Sequence, residues 1–134
     1  MDTQIKTYCT IHAIAINKDG KYLVTKRAKG LGIGIWRPVS GYIRERESAE
    51  DAAVRELKEE TNLDGKVVHT SKPFWADKDD RRFIVVALIL AVNDVEEIKL
   101  DKSEASDYKW IDKNDLLIEK SYVLKRTMHK LGII

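Results

Sequence analysis

Short apolar runs broken by polar punctuation fill most of the chain, and their period changes from two to about 3.6 at two places. Residues 8–16 and 22–25 are rich in Ile, Ala, Val and Thr. They are separated by Asn17-Lys18-Asp19-Gly20-Lys21, whose Asp-Gly pair is a turn signal, so the two runs predict a hairpin. Residues 35–43 are expected to be extended, because Pro38 opposes helix and disfavours helical geometry at Arg37. At Ser48 the pattern switches. Ser48 reads as a helix N-cap with Asp51 three positions on, and the spacing predicts a helix over residues 49–61 with Ala53, Val54 and Leu57 as its apolar stripe. Asn62 is placed to end it, since Asn tolerates the left-handed conformation. Residues 67–70, 82–92 and 108–111 predict further strands, residues 113–118 a short helix, and Ser121 starts a last helix with Leu124, Met128 and Leu131 on one side. The sum is a mixed sheet flanked by helices, an α+β or α/β sandwich.

With 134 residues and 43% hydrophobic content, one domain spanning residues 1–134 is expected. A domain this size buries about two thirds of its unfolded surface, so a bound metal would serve chemistry, not folding. Cys9 is the sole cysteine, which rules out an internal disulfide framework and any multi-cysteine zinc site. Its place in the first strand predicts a buried small hydrophobe, and a reducing, cytoplasmic setting is the expectation. The polar start of the chain and a longest apolar run of only ten residues, 83–92, predict neither a signal peptide nor a membrane span. A net charge of +2, spread along the chain, gives no reason to expect a nucleic-acid partner. The glycine-spaced stretch 29–34 lacks a following helix and reads as a flexible loop, not a dinucleotide fingerprint. His12, His69 and His129 have no metal-ligand spacing. The basic tail after residue 120 is expected to complement the C-terminus of its own helix.

The acidity of the chain is local. Residues 44–60 hold seven acids (Glu45, Glu47, Glu50, Asp51, Glu56, Glu59, Glu60) against four bases, a balance of −3 while the remainder is +5. At about 100° per residue, Glu56 and Glu60 lie about 40° apart in projection and Glu59 about 60° to the other side of Glu56. Three carboxylates therefore share one helix face. Like charges at these spacings repel, and they persist either as a solvated face or around a cation. Oxygen ligands without His or Cys select Mg²⁺ or Mn²⁺ over zinc, and Mg²⁺ commonly combines one or two carboxylates with substrate phosphates.

Gly41, five residues, Glu47, seven residues, then Arg55-Glu56-Leu57-Lys58-Glu59-Glu60-Thr61-Asn62-Leu63 resembles the Nudix box, G-x5-E-x7-R-E-U-x-E-E-x-G-U, in which U is a bulky aliphatic. Six such matches arise by chance on the order of 10⁻⁷ per window. Only the second glycine departs, replaced by Asn62. The resemblance implies the Nudix fold, an α/β/α sandwich with a mixed sheet, and hydrolysis of a nucleoside diphosphate linked to some group X. It implies Glu56, Glu59 and Glu60 as metal-binding acids, Glu47 behind them, and Arg55 orienting them. Pro38-Val39-Ser40 stands where the family often has Pro-Gly-Gly, which leaves the Ser40 carbonyl ahead of Gly41 as a further ligand. The base that takes the proton from water is either a box acid, Glu56 or Glu59, or lies on a later loop, where Glu104 is the candidate. Ser103-Glu104-Ala105 resembles a Glu-His stretch of nucleotide-hydrolysing relatives, with Ala105 where His is usual.

Trp36-Arg37-Pro38-Val39-Ser40-Gly41 resembles the opening of the box in dihydroneopterin triphosphate pyrophosphohydrolases, which also act on deoxynucleoside triphosphates. The resemblance implies a small nucleotide substrate of that type, with a dinucleoside polyphosphate as the alternative. Trp36, Phe74 and Trp75 are candidates to stack on its ring, and Arg27 and Arg37 to hold its distal phosphates. A non-catalytic nucleotide sensor would be expected to lose box carboxylates, all of which are kept here, and an RNA-end hydrolase would want a broader basic surface. The assembly is expected to be a monomer or a homodimer.

Overall fold

The computed structural model describes residues 5–30, 32–78, 80–93 and 97–134. Residues 1–4 of the polar N-terminus and Leu31 of the glycine-spaced loop lie outside these. The strands are β1 (Thr7–Ile16), β2 (Tyr22–Arg27), β3 (Trp36–Arg37), β4 (Val39–Tyr42), β5 (Gly65–Thr70), β6 (Phe74–Lys78), β7 (Arg81–Val92) and β8 (Ala105–Ile111). The helices are α1 (Ala49–Thr61), α2 (Leu116–Lys120) and α3 (Tyr122–Lys130). Together they form a mixed eight-stranded sheet with helices on both faces, an α+β sandwich.

The sheet path is β3-β2-β1-β7-β5, with β4 on β1, β6 on β7 and β8 on β2. β1 and β7 run parallel over ten paired positions, from Thr7–Arg82 to Ile16–Ala91. Such a central pair is buried on both faces, which accounts for the near-continuous apolar runs in both strands. The hairpin turn falls at the Asp-Gly pair, with Gly20 at φ 72° and Ile16 opposite Tyr22.

One face of the sheet packs on α1 through Ile11, Ala13, Val39, Leu88 and Leu90, which meet Ala52, Ala53 and Leu57. The other packs on α3, where Ile14, Val24, Phe74, Val85 and Ala87 meet Leu124 and Met128. Leu131, just past the helix, joins this second cluster, as the sequence predicts.

Several expectations need correction. Ala52, not Val54, completes the stripe of α1; Val54 is 37% exposed because the buried face is centred on Ala53 and Leu57. Cys9 is exposed, since the first positions of β1 alternate in burial and lie beyond both core clusters. The short helix α2 starts at Leu116 behind an Asp115 cap, three residues later than the pattern suggests. β6 has no strand expectation behind it: Phe74 to Asp77 mixes rings and charge, and pairing with β7 is what makes it a strand.

Candidate active site

α1 carries most of the site, and its ends are those the sequence predicts. The Ser48 side chain accepts a hydrogen bond from the Asp51 amide at 3.0 Å, and Asn62 closes the helix at φ 70°. No reciprocal Asp51 contact completes a capping box; Glu47 Oε1 instead accepts from the Arg44 amide at 3.0 Å, in the turn before the helix.

Arg55 ties the acids together. Its Nε and Nη2 donate to the two Glu47 oxygens at 2.8 and 2.9 Å, and Nη1 donates to Glu56 at 2.8 Å and Glu59 at 3.3 Å. Nη2 also donates to the Tyr42 carbonyl at 3.0 Å, which anchors the fork to β4. The hydrogen bond from Arg55 holds Glu47 down at about 2. Arg55 itself is raised, first by Glu47. Burial raises Glu56 against the opposing pull of Arg55.

Gly41 of β4 lies directly against Glu56. A Cβ at this position would overlap the Glu56 carboxylate, so the glycine makes room for the acid or for whatever the acid holds.

Glu60 is the unusual member. It is 2% exposed and neither carboxylate oxygen has a hydrogen bond of full geometry, the Ser40 backbone amide giving only a weak pull. Its nearest cation is Arg37, at 3.7 Å from Nη2 to Oε1. Desolvation pushes Glu60 up to about 8, with Arg37 pulling the other way. Arg37 is equally enclosed: Nη1 donates to the Ser40 hydroxyl at 2.6 Å, Nη2 to the Glu104 carbonyl at 3.3 Å, and Nε has no partner. Burial lowers the Arg37 pKa, while Glu60 and Glu104 oppose that shift. Glu104 sits in the turn before β8, with Oε2 at 3.8 Å from Arg37 and Oε1 at 2.7 Å from the Lys29 ammonium.

Among the described residues, no three acid, His or Cys side chains are already closed around one point as a metal cage. The donor set nevertheless fits a hard divalent cation: an orphaned buried carboxylate, a second against a glycine, and a third, Glu59, 47% exposed in its side chain. In this arrangement arginines supply the positive charge, Arg55 to Glu56 and Glu59, and Arg37 to Glu60.

The structure gathers Glu47, Glu56 and Glu59 around Arg55, and Ser40, Glu60 and Glu104 around Arg37, with Gly41 against Glu56. Arg27 is nearby; its Nε donates to the Lys29 carbonyl at 2.7 Å and its charge acts on Arg37. The aromatic candidates fare differently. Phe74 is 9% exposed in the core under α3, with Arg126 and Lys130 over its ring. Trp36 packs on the same core, flanked by Lys26 and Lys109. Trp75 is 56% exposed, but its ring is stacked with Arg82 at 4.8 Å. Lys29, which pairs with Glu104, had no signal beyond its glycine-rich loop, and His12, whose ring bonds Thr127 Oγ1 at 2.9 Å, none at all. Burial depresses His12 to about 4.

A glycine against a paired glutamate, a helix with its acids gathered by one arginine, and a mixed sheet between helices define a Nudix-type site. The NUDIX domain model matches residues 9–131, and the chain belongs to the Nudix family. Nudix hydrolase 5 of Arabidopsis thaliana is 31% identical over 109 residues, covering 75% of this chain but 35% of the plant protein. The chain thus spans about a third of that relative's length. The nucleoside triphosphatase NudI of Escherichia coli is 26% identical over 140 residues, covering 93% of this chain and 97% of NudI. A NUDIX hydrolase structure from Nitrosomonas europaea superposes with a TM-score of 0.77 at 14% identity, covering 95% of this chain and 89% of that one, a likeness of fold.

Proposed function

We propose that this chain is a Mg²⁺-dependent pyrophosphohydrolase acting on a nucleoside polyphosphate. The observation that carries the reading is Glu60, a buried carboxylate with no hydrogen bond of full geometry, on the helix that also bears Glu56 and Glu59. A buried acid without a hydrogen bond costs several kcal/mol unless a cation compensates it. Glu56, Glu59, Glu60 and the Ser40 carbonyl would hold Mg²⁺, with Mn²⁺ as a substitute. When bound, the ion neutralises phosphate oxygens and acidifies a water.

The remaining work falls to the chain. Arg55 and Glu47 orient Glu56 and Glu59. Glu104, 33% exposed in its side chain at the mouth of the site, takes the proton from the attacking water as general base. Arg27, only partly buried, is left to meet the distal phosphates, while Arg37 is enclosed and acts by holding Ser40, Glu60 and Glu104. The Nudix assignment and the nucleoside triphosphatase NudI support this class of reaction. Within the class, deoxynucleoside triphosphates and dihydroneopterin triphosphate are the first reading and dinucleoside polyphosphates the second. A cytoplasmic setting suits an exposed, unpaired Cys9 thiol.

The test is a panel of these substrates with ADP-ribose, with and without Mg²⁺, and products identified. Metal-dependent release of a nucleotide and a phosphate-containing fragment is expected. No turnover of any member, or equal turnover after chelation, rejects the proposal.

A further inference from the structure

The cation of the site that solvent screens least is Arg37, whose side chain is 7% exposed against 18% for Arg55 and 61% for Lys29. It enters from β3, where it stands opposite Thr25 of β2, while Glu60 comes from α1 and Glu104 from the turn before β8. Both of its side-chain hydrogen bonds go to neutral groups, the Ser40 hydroxyl and the Glu104 backbone carbonyl. The carboxylates of Glu60 and Glu104, at 3.7 and 3.8 Å from Nη2, lie beyond hydrogen-bond distance, so Arg37 attracts them by charge alone. Its charge also acts on Glu56. Two of the three acids assigned to the metal therefore already face a fixed positive charge that neutral groups hold in place.

A metal ion brought to the same acids is repelled by that charge, and the enclosure that shields Arg37 from water leaves the repulsion poorly screened. The ion pairs of the site join five glutamates to four Lys and Arg side chains, which leaves −1 with every group ionised. This does not neutralise a doubly charged ion. The phosphates of a nucleotide supply the missing charge, and Mg²⁺ commonly combines one or two carboxylates with substrate phosphates.

We propose that Arg37 is a resident cation that keeps the site from holding Mg²⁺ firmly until the phosphates of the substrate arrive. Metal and nucleotide then bind as a pair, and the empty enzyme holds neither tightly. This rests on the hydrolase reading above and adds to the holding role of Arg37 an effect of opposite sign: a residue that only positions ligands strengthens metal binding, whereas a resident cation weakens it.

The experiment is calorimetry of Mg²⁺ and Mn²⁺ at pH 8.5, where protons compete less for the acids. It compares wild type, Arg37→Met, Arg37→Lys and Lys29→Met, each with and without a non-hydrolysable nucleoside triphosphate analogue. Without the analogue, Arg37→Met should bind the ions at least about tenfold more tightly than wild type, and Arg37→Lys, which keeps the charge, should stay within about threefold. Lys29→Met removes an equal but solvent-screened charge and should also stay within about threefold. With the analogue, wild type should tighten and its gap to Arg37→Met should narrow. Unchanged or weaker ion binding by Arg37→Met, or equal tightening in Arg37→Lys or Lys29→Met, overturns the proposal. Circular dichroism checks each fold, and Arg37→Gln carries the same expectation should the Met variant not fold. If no protein binds either ion even with the analogue, the hydrolase reading falls as well; if ion and analogue bind together but removing Arg37 does not tighten the bare ion, only the resident-cation proposal falls.

Discussion

Arg37 Nη2 lies 3.7 Å from Glu60 Oε1, and both side chains are almost fully enclosed. The separation is an ion pair without a hydrogen bond, the arrangement in which desolvation is least compensated. Glu60 accordingly rises from 4.5 to about 8. The metal-free fold binds a proton that the unfolded chain has released, so stability from Glu60 is full below about pH 4.5 and is lost as pH climbs through about 8. Chemical denaturation of metal-free protein should show lower stability at pH 9 than at pH 6, by an amount on the order of a few kcal/mol at most. Glu60→Gln should flatten this slope and abolish hydrolysis while the fold persists. A slope that survives the substitution points to another group; unchanged turnover removes Glu60 from the metal site.

Glu47 is linked to pH with the opposite sign. Its acid range is depressed to about 2 by Arg55, so its contribution is present above about pH 4.5 and is lost as pH falls through about 2. Arg55→Met removes one shared partner of Glu47, Glu56 and Glu59, leaving Glu47 its Arg44 amide and Glu59 its ion pair with Arg44. Mg²⁺ affinity measured by calorimetry should fall about 10- to 100-fold, the usual cost of removing a residue that orients ligands. Affinity within twofold of wild type means that the acids hold their positions without it.

Gly41→Ala tests the contact between β4 and α1. The new methyl overlaps the Glu56 carboxylate, while Gly41 itself sits in ordinary extended backbone, so the substitution displaces the acid without backbone strain. Circular dichroism should be near wild type and Mg²⁺ binding strongly weakened. Normal binding means that Glu56 swings aside at no cost.

The parts of this fold that one stretch of sequence determines are legible in it. Ser48 and Asn62 mark α1 because capping is a local hydrogen-bond problem, and both boundaries coincide with the structure. The acids are legible for the same reason: helical spacing fixes Glu56, Glu59 and Glu60 relative to each other. What depends on distant partners is not. Phe74 next to Pro73 and a charged stretch looks like a free ring, yet β6 turns it under α3. Cys9 sits in an apolar strand, yet is exposed and belongs to neither core cluster. Arg37 could be placed near the phosphates by resemblance, but its burial between Glu60 and Glu104 arises from three separate segments. The ring contacts of Tyr8 with Tyr42 and Phe83 likewise join positions from three strands.

Glu104 stands between two cations, Lys29 at 2.7 Å and Arg37 at 3.8 Å. These contacts hold its side chain in one place, and its backbone carbonyl fixes the Arg37 guanidinium at 3.3 Å. If Glu104 takes the proton from water, Glu104→Gln should cut kcat by about 10² to 10⁴, with KM and Mg²⁺ affinity little changed, because the amide keeps the shape and the backbone bond to Arg37. Lys29→Met should act more mildly, since Arg37 remains. The comparison requires steady-state kinetics across pH for both variants. If Glu104→Gln turns over at the wild-type rate, the proton goes instead to Glu56 or Glu59, and the loop before β8 serves to hold Arg37 against Glu60.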